Sequence, residues 1–232
     1  MSMILNMYDN IIISLSNLVR RSYDGIIHCY GRARLKNYEP YIVCNNCMGG
    51  LMYHWLKLKF FTPFINCSMK NDDFVTALEN FQEFMNYDIV EDEEMTKKSG
   101  FPVGRSVCDT RILFIHYESF EHAKKKWDER KSRMPRELLD DGRYYYKTEN
   151  IAFMLTWGGA TRDVLNRFDT LPYKHKVAFT SNSTDAEISS CIYIKDFEPS
   201  KGLWQTSSRK FSVKRVIDQF DWVTFLNNSS LI

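Results

Sequence analysis

The chain has 232 residues, of which 44% are hydrophobic, 15% aromatic and 26% charged, a balance that excludes a disordered polypeptide and predicts a buried core. Its net charge of +2 and pI of about 8.1 exclude wholesale nucleic-acid binding, whose usual footprint is a domain pI above about 9. This length fits one domain, so residues 1–232 are expected to form a single unit.

Six cysteines, Cys29, Cys44, Cys47, Cys67, Cys108 and Cys191, are scattered without a disulfide-rich spacing and without a signal-peptide pattern before them, so reduced thiols in a cytoplasmic protein are expected. Near the start, Ile11, Ile12, Ile13, Leu15, Leu18 and Val19 make an apolar run. Asp9, Ser14, Ser16 and Asn17 interrupt it, and about 18 clean apolar residues are needed to span a bilayer. No transmembrane helix is expected.

The segment up to about residue 38 has a helical pattern, with Arg20, Arg21, Arg32 and Arg34 on its polar side and Gly25 and Gly31 as candidate breaks. Residues 40–44, with β-branched Ile42 and Val43, predict a buried strand, and residues 51–58 a helix. A second short strand is expected at residues 63–67. Asn71, Asp72 and Asp73 supply a cap and acidic first turn for a helix whose apolar face holds Phe74, Ala77, Leu78, Phe81, Phe84 and Met85. An acidic loop at 91–94 and a glycine-bounded turn at 100–104 precede a strand at 111–116 that ends at His116.

From Ser119 the period is helical again, with Phe120, Ala123, Trp127 and Met134 near one stripe and an excess of Lys and Arg between Glu121 and Arg136. Pro135 ends or kinks that helix. Residues 140–148, with Tyr144, Tyr145 and Tyr146 in a row, read as a loop or an irregular strand. Strands are expected at 150–156, 176–180 and 191–194, and helices at 161–168 and 216–226. Strands alternating with helices predict a three-layer α/β/α fold, Rossmann-like, with a mostly parallel sheet.

Ligands of such sheets gather beyond the carboxyl ends of the strands, which brings three clusters forward. The first is the loop of Asn45, Asn46, Cys47, Gly49 and Gly50 with Tyr53; the second is His116, Tyr117 and Glu118; the third holds Thr156, Trp157, Gly158, Gly159 and Thr161. Cys47 at a helix start is a candidate nucleophile, with His116 as its base and Glu118 beside it. His54 is too far along a regular helix to serve. In the alternative reading the thiol is simply a small packed residue. Gly49 and Gly50 suit close approach to a phosphate and Asn45 and Asn46 suit a sugar, or the glycines let the helix pack on the sheet.

No dinucleotide fingerprint or Walker lysine is present, so the cofactor stays unknown. Cys44 and Cys47 form a C-x-x-C with no second pair or histidine pair to complete a zinc site, so no metal is expected. The basic run Lys124, Lys125, Lys126 to Arg136, with Arg209, Lys210, Lys214 and Arg215, either meets an anionic membrane or diphosphate, or is a solvated face.

Several ordered motifs carry a family resemblance over roughly residues 10–228. They are Asn45-Asn-Cys-Met-Gly-Gly50 with Tyr53, Thr62-Pro-Phe-Ile-Asn66, Asp73-Phe74, Phe101-Pro-Val-Gly104, Ile115-His-Tyr-Glu-Ser-Phe120 with Ala123, Lys126-Trp127 and Arg130, Phe168-Asp169 with Leu171-Pro-Tyr-Lys174, residues 177–180, and Asp221-Trp-Val-Thr-Phe-Leu-Asn227. The chain resembles a family of bacterial proteins of unknown function encoded in exopolysaccharide, capsule and O-antigen gene clusters. It departs from the family at Met48, where an aromatic residue is usual, and at residues 157–160, where an acidic, cysteine-containing loop is usual. The resemblance implies a role in cell-surface polysaccharide assembly. The expected function is therefore a transferase that moves or modifies a sugar, with a nucleotide-sugar or polysaccharide precursor as partner. The alternatives are a scaffold in peripheral contact with membrane glycosyltransferases, or a cysteine-dependent acyltransferase or hydrolase.

Overall fold

The computed structural model describes residues 2–200, 202–205 and 212–229, with side chains from residue 17 onward; Arg209 and Lys210 of the basic C-terminal cluster lie outside the described residues. The elements run α1 (Ser2–Arg34), β1 (Tyr41–Cys44), α2 (Met48–Leu56), α3 (Asn71–Glu79), α4 (Phe81–Asn86), β2 (Val90–Glu91), α5 (Glu93–Ser99), β3 (Val103–Arg105) and β4 (Arg111–Leu113). They continue with α6 (Phe120–Lys131), β5 (Arg136–Leu138), β6 (Tyr144–Tyr146), β7 (Ile151–Leu155), α7 (Arg162–Thr170), β8 (Lys176–Thr180), β9 (Cys191–Tyr193) and α8 (Trp222–Asn228).

The central sheet has the order β1-β7-β8-β9 and every pair in it is parallel. Side chains of a strand alternate between faces, and here the alternation builds two cores. Val43, Ile151, Phe153, Leu155 and Ala178 enter one cluster with Phe74, Leu78, Phe81, Phe84, Trp127, Leu165 and Phe168 from α3, α4, α6 and α7. Ile42, Cys44, Ala152, Met154, Val177 and Phe179 enter the other with Met48, Met52, Tyr53 and Leu56 of α2 and Trp222, Val223 and Leu226 of α8. Helices therefore cover both faces, as expected for a three-layer α/β protein.

Several expectations change, among them the helix expected to carry Phe74 to Met85, which is divided into α3 and α4 at Asn80. Residues 63–67 form no strand: the segment is a loop, and the one isolated bridge, Ser68 to Leu113, falls just after it. The strand ending at His116 stops at Leu113 and belongs to a separate antiparallel sheet, β2-β3-β4. The acidic stretch 91–94 is ordered as β2 and the start of α5, because Asp92 accepts from Met95 N as an N-cap. The last helix is split into a 3-10 turn (Val216–Gln219) and α8, since Asp221 caps a fresh helix by accepting from Thr224 N. The tyrosine row is β6, paired antiparallel with β5.

α1 runs for 33 residues through both glycines, and among the described residues no helix is long and apolar enough to cross a membrane. Its C-terminal half is fastened by Arg215, which is 4% exposed. That guanidinium lies over the Trp55 ring at 3.9 Å, bonds Asp218 at 2.8 Å and faces Asp24 at 3.7 Å. His28 Nε2 is 2.7 Å from Arg215 Nη1, and its ring stacks on Trp55 at 5.2 Å. Arginine only donates, so Nε2 is the acceptor and the imidazole is neutral.

Burial first, then Arg215, holds the His28 pKa below its ordinary 6.5; Arg32 adds to the lowering, while Asp24 and Asp218 oppose it. The folded value lies below the unfolded one, so this contribution to stability is complete above the unfolded pKa and is lost as pH falls through it toward the folded value. Denaturant titrations from about pH 7 down to about pH 5 should show a steeper loss of stability for the wild type than for His28→Gln. Parallel curves would contradict this.

Candidate functional site

β1 ends in a run of side chains that answer backbone groups. Asn45, 0% exposed, accepts at Oδ1 from Thr156 N and Thr156 Oγ1, both at 2.8 Å, which ties the end of β1 to the end of β7. Asn46, 1% exposed, accepts at Oδ1 from Met48 N at 3.0 Å and so starts α2. Cys44 Sγ donates to Asn46 O and receives Gly49 N. Gly49 suits its place: a Cβ there would press on Ile42 Cγ2 at 3.2 Å and Cys44 Sγ at 3.3 Å, so its absence eases the close approach of α2 to β1.

Tyr53 is also sealed. Its hydroxyl receives Ile42 N at 3.1 Å and donates to Pro40 O at 2.6 Å, and burial pushes its pKa up. Cys47 occupies the cap position of α2, half-buried. Burial pushes its thiol above the ordinary value, opposite to the lowering that a helix start gives an exposed thiol.

The loops after β1 and β7 do converge at one sheet edge, as expected, and beside them opens a groove of about 490 Å³ lined by Ser68, Met69, Lys70, Asn71, Asp72, Leu113, Trp157, Gly159, Ala160, Thr161, Val164 and Pro199. Of the expected ligand-binding residues Thr161 lines it; Asn45 and Thr156 stand behind its wall. Asn45 Nδ2 donates to Asn71 Oδ1 at 2.8 Å, and Asn71 Nδ2 reaches Trp157 O at 3.5 Å. The sealed latch thus holds two groove residues. Gly158 keeps the 157–160 loop down, because a Cβ there would fall 2.4 Å from Phe197 Cε1. Trp157 is half-buried and meets Trp204 edge-on at 6.4 Å.

Two helices begin at this groove. α3 starts after Lys70, and α7 after Thr161, whose Oγ1 accepts from Val164 N. Arg167 of α7 clamps them together by binding Asp72 at 2.5 Å and Glu79 at 2.7 Å. Next to the lining, burial pushes the Asp73 carboxyl above its ordinary range against the pull of Lys70 and Arg111. Asn71 and Asp72 are site residues that the sequence assigned only to the start of a helix, and Lys70, which takes the cap position expected for Asn71, was not singled out; their approach to Trp157 is a long-range fact.

His116 and Glu118 are exposed in the loop between β4 and α6, outside the groove lining. Among the described residues no hydrogen bond joins either to Cys47. The basic α6 is largely neutralised: Lys124 binds Asp88 and Asp128, Lys126 binds Glu129, and Lys131 faces Asp128.

These features define an α/β protein with an aromatic-walled groove at the carboxyl edge of a parallel sheet. The chain belongs to the family described as "Domain of unknown function (DUF1919)", which it matches over residues 19–227. It is also similar to a protein of Haemophilus influenzae named "Uncharacterized protein", with 32% identity over 200 residues that cover 84% of this chain and 88% of that one.

Proposed function

We propose that the protein handles a phosphate-bearing sugar precursor of cell-surface polysaccharide, binding it in the groove beyond β1 and β7 and acting on it there as a transferase. The observation that carries this reading is the lining, in which Trp157 stands beside Lys70, Asn71, Asp72 and Thr161. A sugar ring has an apolar face and a rim of hydroxyls, which an indole flanked by amide, carboxylate and hydroxyl groups complements. Lys70 and the starts of α3 and α7 favour a phosphate, and Arg167 offsets the charge of Asp72. The resemblance to exopolysaccharide and capsule proteins supports the same substrate class, and six free cysteines fit a cytoplasmic setting.

Titration of the protein with UDP-sugars, followed by indole fluorescence and calorimetry, tests this. Trp157→Ala is expected to weaken binding at least tenfold, about 1.4 kcal/mol, with circular dichroism unchanged. Equal affinity in the variant, or no binding of any UDP-sugar at millimolar concentration, would overturn the reading.

For the cysteine-enzyme alternative, the raised thiol of Cys47 sets a clear expectation. With iodoacetamide at neutral pH and mass mapping of the adducts, exposed Cys29 and Cys108 should react first and Cys47 should lag. Fast, selective modification of Cys47 would favour the cysteine mechanism instead.

A further inference from the structure

α6 turns one face to the core, and the buried positions on it are Ala123, Trp127 and Arg130. A guanidinium on an apolar stripe is out of pattern. Arg130 is 9% exposed, yet its one side-chain hydrogen bond runs from Nη1 to Tyr117 Oη at 2.5 Å. Its Cζ lies 5.1 Å from the centre of the Phe60 ring. Tyr117 Oη in turn donates to Ile65 O at 3.1 Å, so the phenol receives the arginine and passes its own proton inward.

Among the described residues no carboxylate pairs with Arg130. The two acids nearest to it on its own helix are engaged, Asp128 by Lys124 and Lys131 and Glu129 by Lys126, and Glu121 lies in the first turn, nine residues before it. The segment packed against it brings none, since no acidic residue occurs between Glu39 and Asp72. More positive charge arrives instead. Arg133 donates to Phe60 O at 2.8 Å, and exposed Lys57 and Lys59 precede Phe60 in the same loop.

A guanidinium has five N–H donors, and the unused nitrogens of Arg130 are absent from the fully sealed polar atoms that lack a partner. They therefore still open to solvent. A cation that has given up most of its hydration for one phenol and a ring face lacks its compensating charge. Its planar fork fits the two oxygens of a carboxylate or a phosphate.

We propose that Arg130, backed by Tyr117 and flanked by Arg133, is a binding site for an oxyanion, a carboxylate or phosphate group, separate from the groove at Trp157. None of these residues lines that groove. The site would read the acidic group of a second ligand, and it stands whether or not the groove takes a nucleotide-sugar.

Thermal unfolding in low-salt buffer tests it, with inorganic phosphate and acetate added in separate titrations and sodium chloride at matched ionic strength as control. The wild-type midpoint should rise with one of these anions beyond the chloride control, by linkage to the folded state; whichever anion does so identifies the phosphate or carboxylate source. In Arg130→Met the half-saturating concentration should rise at least tenfold. Arg130→Lys, which keeps the charge and loses the fork, should fall between the two. In anion-free buffer Arg130→Met should be at least as stable as the wild type, because it removes an unpaired buried charge. An identical anion response in R130M, no response beyond chloride in the wild type, or an R130M that is destabilised or unfolded without anion would each overturn the proposal and assign Arg130 to packing alone.

Discussion

Replacing Arg215 by methionine should lower the unfolding free energy by about 3–5 kcal/mol, the range for removing one partner of a buried ion pair. The side chains of Arg215 and Asp218 are 4% and 8% exposed, so R215M leaves a sealed carboxylate without its cation. Asp24, whose Oδ1 is already buried without a hydrogen bond, loses its facing charge as well. The same substitution removes the group over the Trp55 ring and the donor to His28. The damage should concentrate where α1 meets the domain. Denaturant unfolding gives the magnitude, and hydrogen exchange should show amides of residues 17–34 opening first. The double variant Arg215→Met with Asp218→Leu should recover part of the loss, because replacing both charges by apolar groups is far less costly than stranding one. A single-variant loss below about 1 kcal/mol would mean that this network behaves like a surface pair.

Asn45→Ala should cost about 2–4 kcal/mol, since it strands the buried N–H and hydroxyl of Thr156 at roughly 1–3 kcal/mol each, with the two terms not fully additive. Both groups bond the same oxygen, Asn45 Oδ1, and Thr156 is 0% exposed, so water has no easy route to replace it. The loss extends to the groove, because Asn45 also holds Asn71. Asn71→Ala, by contrast, removes a half-buried amide and should cost well under half as much in stability. Comparing their denaturation midpoints checks the order; equal losses would show that the latch to β7 carries no special weight.

The parallel sheet was readable in advance because its strands are buried on both faces, and runs such as Ile-Val in β1 and Ile-Ala-Phe-Met-Leu in β7 leave no polar alternation. The face of α3 and α4 was equally plain: Phe74, Ala77, Leu78, Phe81, Phe84 and Met85 are all buried, although Asn80 divides the helix in two. Residues 63–67 misled because an apolar pentamer looks the same whether its backbone bonds a strand or not. Sheet membership of β4 depends on pairing with β3, a choice that its own side chains do not encode.

At the site, Trp157 and Thr161 were visible as a loop and a helix start after a strand, and the structure makes Thr161 the cap of α7. The burial of Asn45 and Asn46 was not, since an amide at a strand end reads identically when it meets a ligand and when it meets a neighbouring backbone. Arg130 was hidden for a related reason. In sequence it is one more cation of a basic helix, and its position facing the core appears only when α6 is packed.

The outer rim of β1 has a consequence for how this molecule meets others. Tyr53 takes Ile42 N, the Thr62 hydroxyl donates to Ile42 O at 2.5 Å, and Met69 N donates to Asn45 O at 2.9 Å. Two side chains and one passing amide occupy these outward groups where a fifth strand would otherwise bond, which leaves a foreign peptide less of a ladder on that border to add to. Shortening the chain between α2 and α3 would unzip this hem and turn a self-contained sheet into a template for intermolecular stacking.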